Sequence, residues 1–261
     1  MIESPHNRDL PRILIAIPVF NEERSVDRVL GEVARYAAAF AGEVLVIDDG
    51  STDATPSLIA RHPVEVIRHG KNRGYGRAMQ DMLEWADFRG YDWVISMDCD
   101  EQHEPASLPD FVAAIQRATA EGTADIVSGS RYIDESLPGD PAPEDRRRIN
   151  ALLTHELNQR LSLGISDAFC GYKAYRASVC ANLALDACGY DFPMQFWVQA
   201  CAAGLRNEEL AVRRIYVDMT RTFGSGLDVP DRRLAMYHET LYREIRRCAR
   251  RLPARAMEGL A

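Results

Sequence analysis

Short apolar runs rich in β-branched residues alternate with amphipathic segments along the first half of the chain. Five of these runs predict β-strands, at residues 12–17, 43–47, 64–68, 93–97 and 124–128. Segments 25–40 and 74–88 lie between them and carry apolar residues at helical spacing. Continuously apolar strands separated by helices are typical of a mainly parallel sheet that is covered on both faces. The pattern therefore predicts an α/β fold.

The second half of the chain contains one polar segment and one strongly amphipathic helix. Residues 132–148 are rich in Pro, Asp, Glu and Arg, which predicts a long loop before a helix over 149–161. The final helix is predicted over 231–252, where seven arginines flank an apolar stripe of Leu234, Tyr237, Leu241, Ile245, Cys248 and Leu252. Such a stripe packs on protein or lies on an anionic membrane, and its regular heptad spacing favours packing.

Length and charge narrow the class of protein. With 261 residues, 46% of them apolar, the chain can bury the core of one large domain. The net charge of -8 argues against a surface devoted to nucleic acid. No apolar stretch approaches the ~20 residues that span a bilayer, and the N-terminus lacks the apolar run of a secretory signal. We therefore expect a cytoplasmic, enzyme-sized domain with reduced thiols at its six scattered cysteines.

Polar or glycine-rich segments follow four of the predicted strands: PVFNE at 18–22, DDGSTD at 48–53, GKNRGYG at 70–76 and DCDEQH at 98–103. Ligands of open α/β sheets bind at the carboxyl ends of the strands, where these segments would meet. Asp98 and Asp100 would repel each other unless a cation lay between them. Mg²⁺ or Mn²⁺ takes such carboxylates together with phosphate oxygens and water. The spacing thus predicts a divalent metal beside a phosphorylated ligand, although a capped turn also explains the DDGS segment taken alone.

In this order, the segments PVFNE, VIDDGSTD, NRGYGRA, MDCDEQHEP and IVSGSRY resemble the motifs of family 2 glycosyltransferases. The resemblance is strongest to the branch of polyprenyl (dolichyl) phosphate mannose and glucose synthases. It implies a GT-A fold with a mainly parallel central sheet, helices on both faces and a C-terminal amphipathic helix. It also implies two parts, a catalytic domain over residues 1–228 and a helical tail over residues 229–261.

The same resemblance assigns roles to individual residues. It implies that the nucleotide is bound by Pro18, Phe20, Glu22, Ile47, Asp48, Asp49, Asp98 and Cys99. It implies that Mg²⁺ or Mn²⁺ is held by Asp98, Asp100 and Gln102. Catalysis would rest on Asp98, Asp100, Arg131 and Arg221. These groups would stabilise the charge that develops on the departing diphosphate.

Two positions depart from the family pattern. The acid that ends the family's G-Y-x-F-x-x-E segment is Gln195 here, and Leu227 stands where the synthases have a lysine. The resemblance implies an inverting transfer, in which an acceptor oxygen attacks the anomeric carbon. A lipid phosphate needs no general base, whereas a hydroxyl acceptor needs a carboxylate, which Gln195 lacks. This favours a phosphate acceptor. The alternative bases for a hydroxyl are Asp134, Asp140, Asp167 and Asp191.

The resemblance also implies partners: a GDP- or UDP-hexose donor, a polyprenyl phosphate acceptor and no nucleic acid. The final helix would then lie on the inner face of the cell membrane, on the domain itself or on a second copy in a homodimer. Two alternatives stay open, transfer to a hydroxyl of a glycan or small molecule, and a nucleotide-sugar-binding protein that has lost transfer. A nucleotidyltransferase is disfavoured, because its glycine-rich loop usually follows strand one directly, where this chain has PVFNE.

Overall fold

One seven-stranded sheet runs through the computed structural model, which describes residues 10–134, 136–217, 222–224 and 226–260. The strands are β1 (Ile13–Val19), β2 (Glu43–Asp48), β3 (Glu65–Arg68), β4 (Trp93–Ser96), β5 (Ile126–Ser130), β6 (Lys173–Arg176) and β7 (Asn207–Ala211). Their order across the sheet is β3-β2-β1-β4-β6-β5-β7, and β6 runs antiparallel to both of its neighbours. All other pairings are parallel, which confirms the mainly parallel sheet.

Helices cover both faces of this sheet. In the described residues they are α1 (Val26–Ala37), α2 (Thr55–Ile59), α3 (Tyr75–Phe88), α4 (Leu108–Glu121), α5 (Glu144–Leu161), α6 (Ala177–Cys180), α7 (Phe192–Ala202) and α8 (Pro230–Cys248). Apolar side chains of α1 and α4 form the core on one face, and those of α3, α5, α7 and α8 form the core on the other.

The central strand β1 explains why the sequence shows continuous apolar runs. Ile13, Ile15 and Ile17 point into the core that α1 and α4 close, whereas Leu14 and Ala16 point into the opposite core. Side chains of a strand alternate between its two faces, so a strand that is buried on both faces has no position for a polar residue.

The predicted loop over residues 132–148 is shorter in the structure, because α5 begins at Glu144 rather than near residue 149. Glu144 and Asp145 occupy the first helical turn, where acidic side chains interact favourably with the helix dipole. The first residues of α5 are exposed or partly exposed and include arginines, so no apolar periodicity appears before Ile149. The prediction of a loop up to residue 148 is therefore wrong, because the first turn of α5 faces solvent and is as polar as a loop.

The C-terminal helix α8 packs on the rest of the fold. Tyr237, Leu241, Ile245 and Cys248 are buried in the core that α3, α5 and α7 share. Its apolar stripe is thus used in protein packing, while its arginine-rich sides remain largely exposed. Across the described residues, we find no helix that combines the length and the apolar character needed to cross a bilayer.

Candidate active site

The segments that follow β1 and β2 lie side by side at the carboxyl edge of the sheet. Asn21 joins them, because its N–H donates to Ser51 Oγ at 3.0 Å and its Oδ1 accepts the Thr52 N–H at 2.9 Å. Pro18 is paired in register with Ile47. The two segments therefore meet at this edge, where Phe20 is 42% exposed and Ile47 is fully buried.

The two aspartates at the end of β2 have different surroundings, although both are buried. Asp48 Oδ1 accepts the Ser51 N–H at 2.8 Å. Its Oδ2 lies 3.2 Å from Arg68 Nε and has no hydrogen-bond donor among the described residues. Asp49 instead accepts the backbone N–H groups of Arg73 and Gly74, each at 2.8 Å. Asp49 thus anchors the turn that begins α3, and Asp48 retains an acceptor oxygen at this edge.

His69, directly after β3, links Asp49 to Asp81 of α3. Its Nδ1 lies 2.6 Å from Asp49 Oδ1, and its Nε2 lies 2.7 Å from Asp81 Oδ2. Each ring nitrogen of His69 thus faces one carboxylate oxygen. Arg77 pairs with the other oxygen of Asp81. His69 was not among the predicted site residues, and its position directly after a strand at the ligand-binding edge is the signal that was available.

The D-x-D segment after β4 faces a cavity of about 220 Å³. Asp98, Asp100 and Gln102 line this cavity, and the Asp98 side chain is 30% exposed. His103 Nδ1 accepts the Asp98 N–H at 2.9 Å. Burial lowers the pKa of His103 to about 4, so the ring is neutral near pH 7. Gly171 leaves the space for Asp98, because a Cβ at Gly171 would lie 2.5 Å from Asp98 Oδ2.

The oxygen donors in this cavity suit a hard divalent cation. Two carboxylates and a side-chain amide oxygen are ligands that Mg²⁺ and Mn²⁺ prefer. The described part of the chain contains no group of three His, Cys, Asp or Glu side chains that would hold a metal without help. A cation here would therefore need further oxygen ligands from a substrate or water, which agrees with the expected diphosphate.

Arg131 is fixed at the cavity by a buried ion pair. Asp167 is fully buried and accepts Arg131 Nε at 2.7 Å and Nη2 at 3.0 Å. Asn150 and the backbone N–H groups of Phe169 and Cys170 also donate to Asp167 Oδ1. Burial disfavours the charged carboxylate, yet the Arg131 guanidinium holds the pKa of Asp167 well below its ordinary value. Asp167 consequently orients Arg131, and its lowered pKa makes it a weak base.

Basic side chains outnumber acids on the cavity wall. The described lining contains four cations, Arg131, Arg146, Lys173 and Arg233, and two carboxylates, Asp98 and Asp100. Lys173 donates from Nζ to the Cys170 carbonyl and lies 5.6 Å from the ring centroid of Trp197. Burial lowers the pKa of Lys173. Three of these cations were not predicted from the sequence, because α5, β6 and α8 bring them together from distant segments.

Aromatic rings make up most of the remaining wall: Tyr75, Tyr132, Phe169, Tyr175, Tyr190, Phe192, Phe196, Trp197, Tyr216, Phe223 and Tyr237. Phe223 lies below two guanidinium groups, 4.8 Å from that of Arg146 and 4.4 Å from that of Arg233. Cationic and aromatic groups thus alternate on this part of the wall, which suits a ligand with an anionic group next to apolar carbon.

The structure separates the predicted site residues into two groups. Asp98, Asp100, Gln102 and Arg131 line the cavity. The other predicted nucleotide residues lie outside its lining: Pro18, Phe20, Glu22, Ile47, Asp48, Asp49 and Cys99. Cys99 is buried, with its Sγ 3.9 Å from Ser25 Oγ. Arg221 lies outside the described residues.

The aspartates considered as alternative bases also lie outside the cavity lining. Asp134 accepts the hydroxyl of Ser136, and Asp140 accepts the Tyr216 N–H at 2.9 Å. Asp191 accepts the Thr240 hydroxyl at 2.6 Å. Together with Asp167, all four serve local structure, and Asp98 and Asp100 are the acids that the described residues contribute to the cavity.

Comparison with known proteins identifies the family. A model described as glycosyl transferase family 2 matches residues 14–183. An undecaprenyl-phosphate mannosyltransferase of Micrococcus luteus is 31% identical over 226 residues, which cover 82% of this chain and 88% of that protein. A polyprenol monophosphomannose synthase of Mycolicibacterium smegmatis is 30% identical over 217 residues, 78% of each chain.

Solved structures agree on the architecture. Glucosyl-3-phosphoglycerate synthase from Mycobacterium tuberculosis, in complex with Mn²⁺, uridine diphosphate and phosphoglyceric acid, superposes with a TM-score of 0.66. It is 20% identical, and the match covers 93% of this chain and 80% of that one. At this identity the likeness shows the fold. The chain therefore belongs to glycosyl transferase family 2 and is a hexosyltransferase with a GT-A fold.

Proposed function

We propose that the chain transfers a hexose from a nucleoside diphosphate sugar to a polyprenyl phosphate, with inversion at the anomeric carbon. An oxygen of the acceptor phosphate attacks the anomeric carbon, and the bond from that carbon to the diphosphate breaks. The nucleoside diphosphate leaves with the electron pair. Both mannosyltransferase relatives are named for a polyprenyl-type phosphate, which agrees with this acceptor.

The charge of the cavity wall is the observation that carries the proposal. Four basic side chains line it, of which Arg131 and Arg233 also pair with carboxylates outside the lining, and its own two carboxylates suit a metal ion. A phosphate acceptor is already an anion, so it gains from the basic wall and needs no general base. A hydroxyl acceptor would need a carboxylate other than Asp98 and Asp100, and the described lining offers none.

The metal would be held by Asp98 and Asp100, with Gln102 beside them. A divalent cation supplies Lewis-acid stabilisation of the charge on the leaving diphosphate. Arg131 adds a second positive charge, which Asp167 holds in place by two hydrogen bonds. Removing one such electrostatic contact typically costs ~3–4 kcal/mol of transition-state stabilisation.

We further propose that the nucleoside lies on the edge formed by the segments after β1 and β2. Asp48 supports this placement, because its buried Oδ2 receives no hydrogen bond from the described residues, although the Arg68 guanidinium lies 3.2 Å from it. The exposed ring of Phe20 offers an apolar face beside it. Asp49 would act indirectly, since its carboxylate already holds the turn before α3.

A peripheral membrane contact through the C-terminal helix is part of the proposal. Its apolar stripe is buried, so the contact would be electrostatic and would use the exposed arginines of α8 and of the turn that follows it, Arg243, Arg246, Arg247, Arg250 and Arg251. Each basic residue near an anionic leaflet contributes about 1 kcal/mol, and salt screens this attraction. Flotation with phosphatidylglycerol vesicles should therefore be strong at low salt and weak at high salt, and salt-independent flotation would contradict this mode.

The decisive assay offers the enzyme GDP- and UDP-hexoses with Mn²⁺ and three acceptors: a short polyprenyl phosphate, the matching polyprenol and water alone. We expect transfer to the phosphate, no transfer to the alcohol and a product of inverted anomeric configuration by NMR. Transfer to the polyprenol at a comparable rate would refute the acceptor assignment. Failure of every donor and acceptor in a folded, donor-binding protein would favour the alternative of lost transfer activity.

A further inference from the structure

Gln195 lies at the position where the family pattern has an acid, and both the oxygen and the nitrogen of its side-chain amide form hydrogen bonds. The residue is completely buried in α7. Its Oε1 accepts the backbone N–H groups of Asp186 at 2.8 Å and Ala187 at 2.7 Å. Its Nε2 donates to Asp186 Oδ1 at 2.6 Å. The amide thus binds one short segment through both of its ends.

The neutral amide is matched to the charge of Asp186. A glutamate at position 195 would still accept the two backbone N–H groups, but it has no N–H for Asp186 Oδ1. It would also bring a second carboxylate, itself buried, against the Asp186 carboxylate, which is 65% exposed, so the two like charges would repel each other across a contact that solvent partly screens. Arg247 of α8 lies 3.1 Å from Asp186 Oδ2, so Asp186 already has its cation. A neutral amide at position 195 therefore suits the charge of Asp186 better than an acid would.

The segment that Gln195 holds packs tightly on the start of α3. The Gly76 N–H donates to the Cys188 carbonyl at 2.8 Å, and Gln80 Nε2 donates to the Ala187 carbonyl at 3.0 Å. A Cβ at Gly74 or Gly76 would lie 2.3 Å or 2.1 Å from a backbone oxygen of this segment. The glycines of the NRGYG motif thus allow two backbones to meet closely.

Tyr190 follows directly after this segment and lines the cavity while remaining 40% exposed. Its ring stacks on Tyr75 of α3, with centroids 6.0 Å apart, and meets Phe223 edge-on at 5.3 Å. Because it is partly exposed, Tyr190 lies at the rim of the cavity. There it stands between the aromatic wall and Phe223, the ring that Arg146 and Arg233 contact. Any shift of residues 186–189 would move this ring.

We infer that Gln195 is a positioning residue for acceptor binding: by fixing residues 186–189, it holds Tyr190 at the rim of the cavity. This inference rests on the proposed function in one respect, that the cavity receives the acceptor. The rim suits an anionic phosphate beside the arginines and the first apolar unit of its prenyl chain against Tyr190 and Phe223. Gln195 acts through Tyr190 and touches neither substrate.

The test compares three variants with the wild type: Gln195→Glu, Asp186→Asn and the double variant. In the double variant, the amide introduced at position 186 can donate to the carboxylate introduced at position 195, so the hydrogen bond is restored with reversed polarity. We expect Gln195→Glu to raise the KM for prenyl phosphate about tenfold, the size of one lost hydrogen bond to a charged group. The KM for the donor should stay within twofold, and the double variant should recover most of the loss.

Hydrogen exchange at the backbone N–H groups of residues 186 and 187 supplies a readout that needs no acceptor. Exchange should be faster in a fourth variant, Gln195→Met, which has no oxygen to accept these N–H groups, and the KM for prenyl phosphate should rise with it. Gln159→Glu, an exposed substitution of the same charge on α5, is the control and should change neither exchange nor KM. Faster exchange without a change in acceptor KM would overturn the positioning role, and unchanged exchange would overturn the whole inference. A wild type that transfers to no prenyl phosphate would instead refute the proposed function, while the exchange data would still test the hold on residues 186–189.

Discussion

Asp167→Asn removes the charge that orients Arg131 while keeping the shape of the side chain. In the wild type, Asp167 is fully buried and receives two hydrogen bonds from the Arg131 guanidinium, at 2.7 Å and 3.0 Å. Asn150 and three backbone N–H groups fill the remaining acceptor positions. An asparagine NH₂ group would face one of these donors, and the Arg131 charge would stay largely buried without its partner.

The expected cost follows from this loss of a buried partner. Removing one member of a buried ion pair typically destabilises a protein by about 3–5 kcal/mol. At roughly 2–4 °C per kcal/mol for a domain of this size, Tm should fall by about 6–20 °C. Hexose transfer should fall further, by about 10²-fold or more, because Arg131 would leave the position from which it meets the diphosphate.

Thermal unfolding and steady-state transfer measure the two effects, with Asp87→Asn on the exposed end of α3 as the control. The stability that this ion pair contributes should also depend on pH in a definite direction. Arg131 holds the pKa of Asp167 below its ordinary value of 3.8, so the stabilisation is complete above that value and is lost as the pH falls below it. The difference in stability between wild type and Asp167→Asn should therefore narrow below about pH 4. An Asp167→Asn protein with wild-type Tm and activity would refute the reasoning.

Three further substitutions test other parts of the site. Asp100→Asn should lower transfer by about 10²–10³-fold and weaken Mn²⁺-dependent donor binding, with little change in Tm; full activity would exclude Asp100 as a metal ligand. Gly171→Ala should lower activity and metal affinity, because its Cβ would lie 2.5 Å from Asp98 Oδ2; Gly122→Ala, which has open space at its Cβ but a φ of +62°, separates this clash from a general glycine effect on stability. His69→Gln should raise the donor KM, since the two N–H groups of an amide lie on one nitrogen and do not span the places of the two ring nitrogens that contact Asp49 and Asp81; an unchanged donor KM would contradict this role of His69.

The strands and the edge where ligands bind could be predicted because each depends on residues that are close together in the sequence. Strands buried on both faces must be continuously apolar, so β1, β2 and β4 were visible as runs. The strand β7 was not predicted, because its sequence NEELA contains two glutamates and all five residues are only partly buried. Its place in the sheet comes from pairing with β5 over five residues, a long-range interaction that leaves little local trace.

The cavity residues could likewise be predicted from the sequence only where they are neighbours in the chain. Asp98 and Asp100 could be predicted as neighbours because two residues of one turn cannot be far apart. Lys173, Arg146 and Arg233 come from β6, α5 and α8, and each of them alone resembles a surface cation. Only the fold brings these charges to one wall. The spacing of motifs in the sequence therefore could not predict the basic cavity wall on which the choice of acceptor depends.

A side chain of α8 explains how this chain can have Leu227 where the family pattern has a lysine. Arg233 donates from Nη1 to the Leu227 carbonyl at 2.8 Å and pairs with Asp145 through Nη2, and it also lines the cavity. A cation therefore lies beside the position where the family pattern has a lysine, although it belongs to the next helix. Tyr237 of α8 lines the same cavity and is buried in the main core. A boundary after residue 228 would thus cut through both the cavity wall and the core, so we propose that the catalytic unit of this chain includes its last helix.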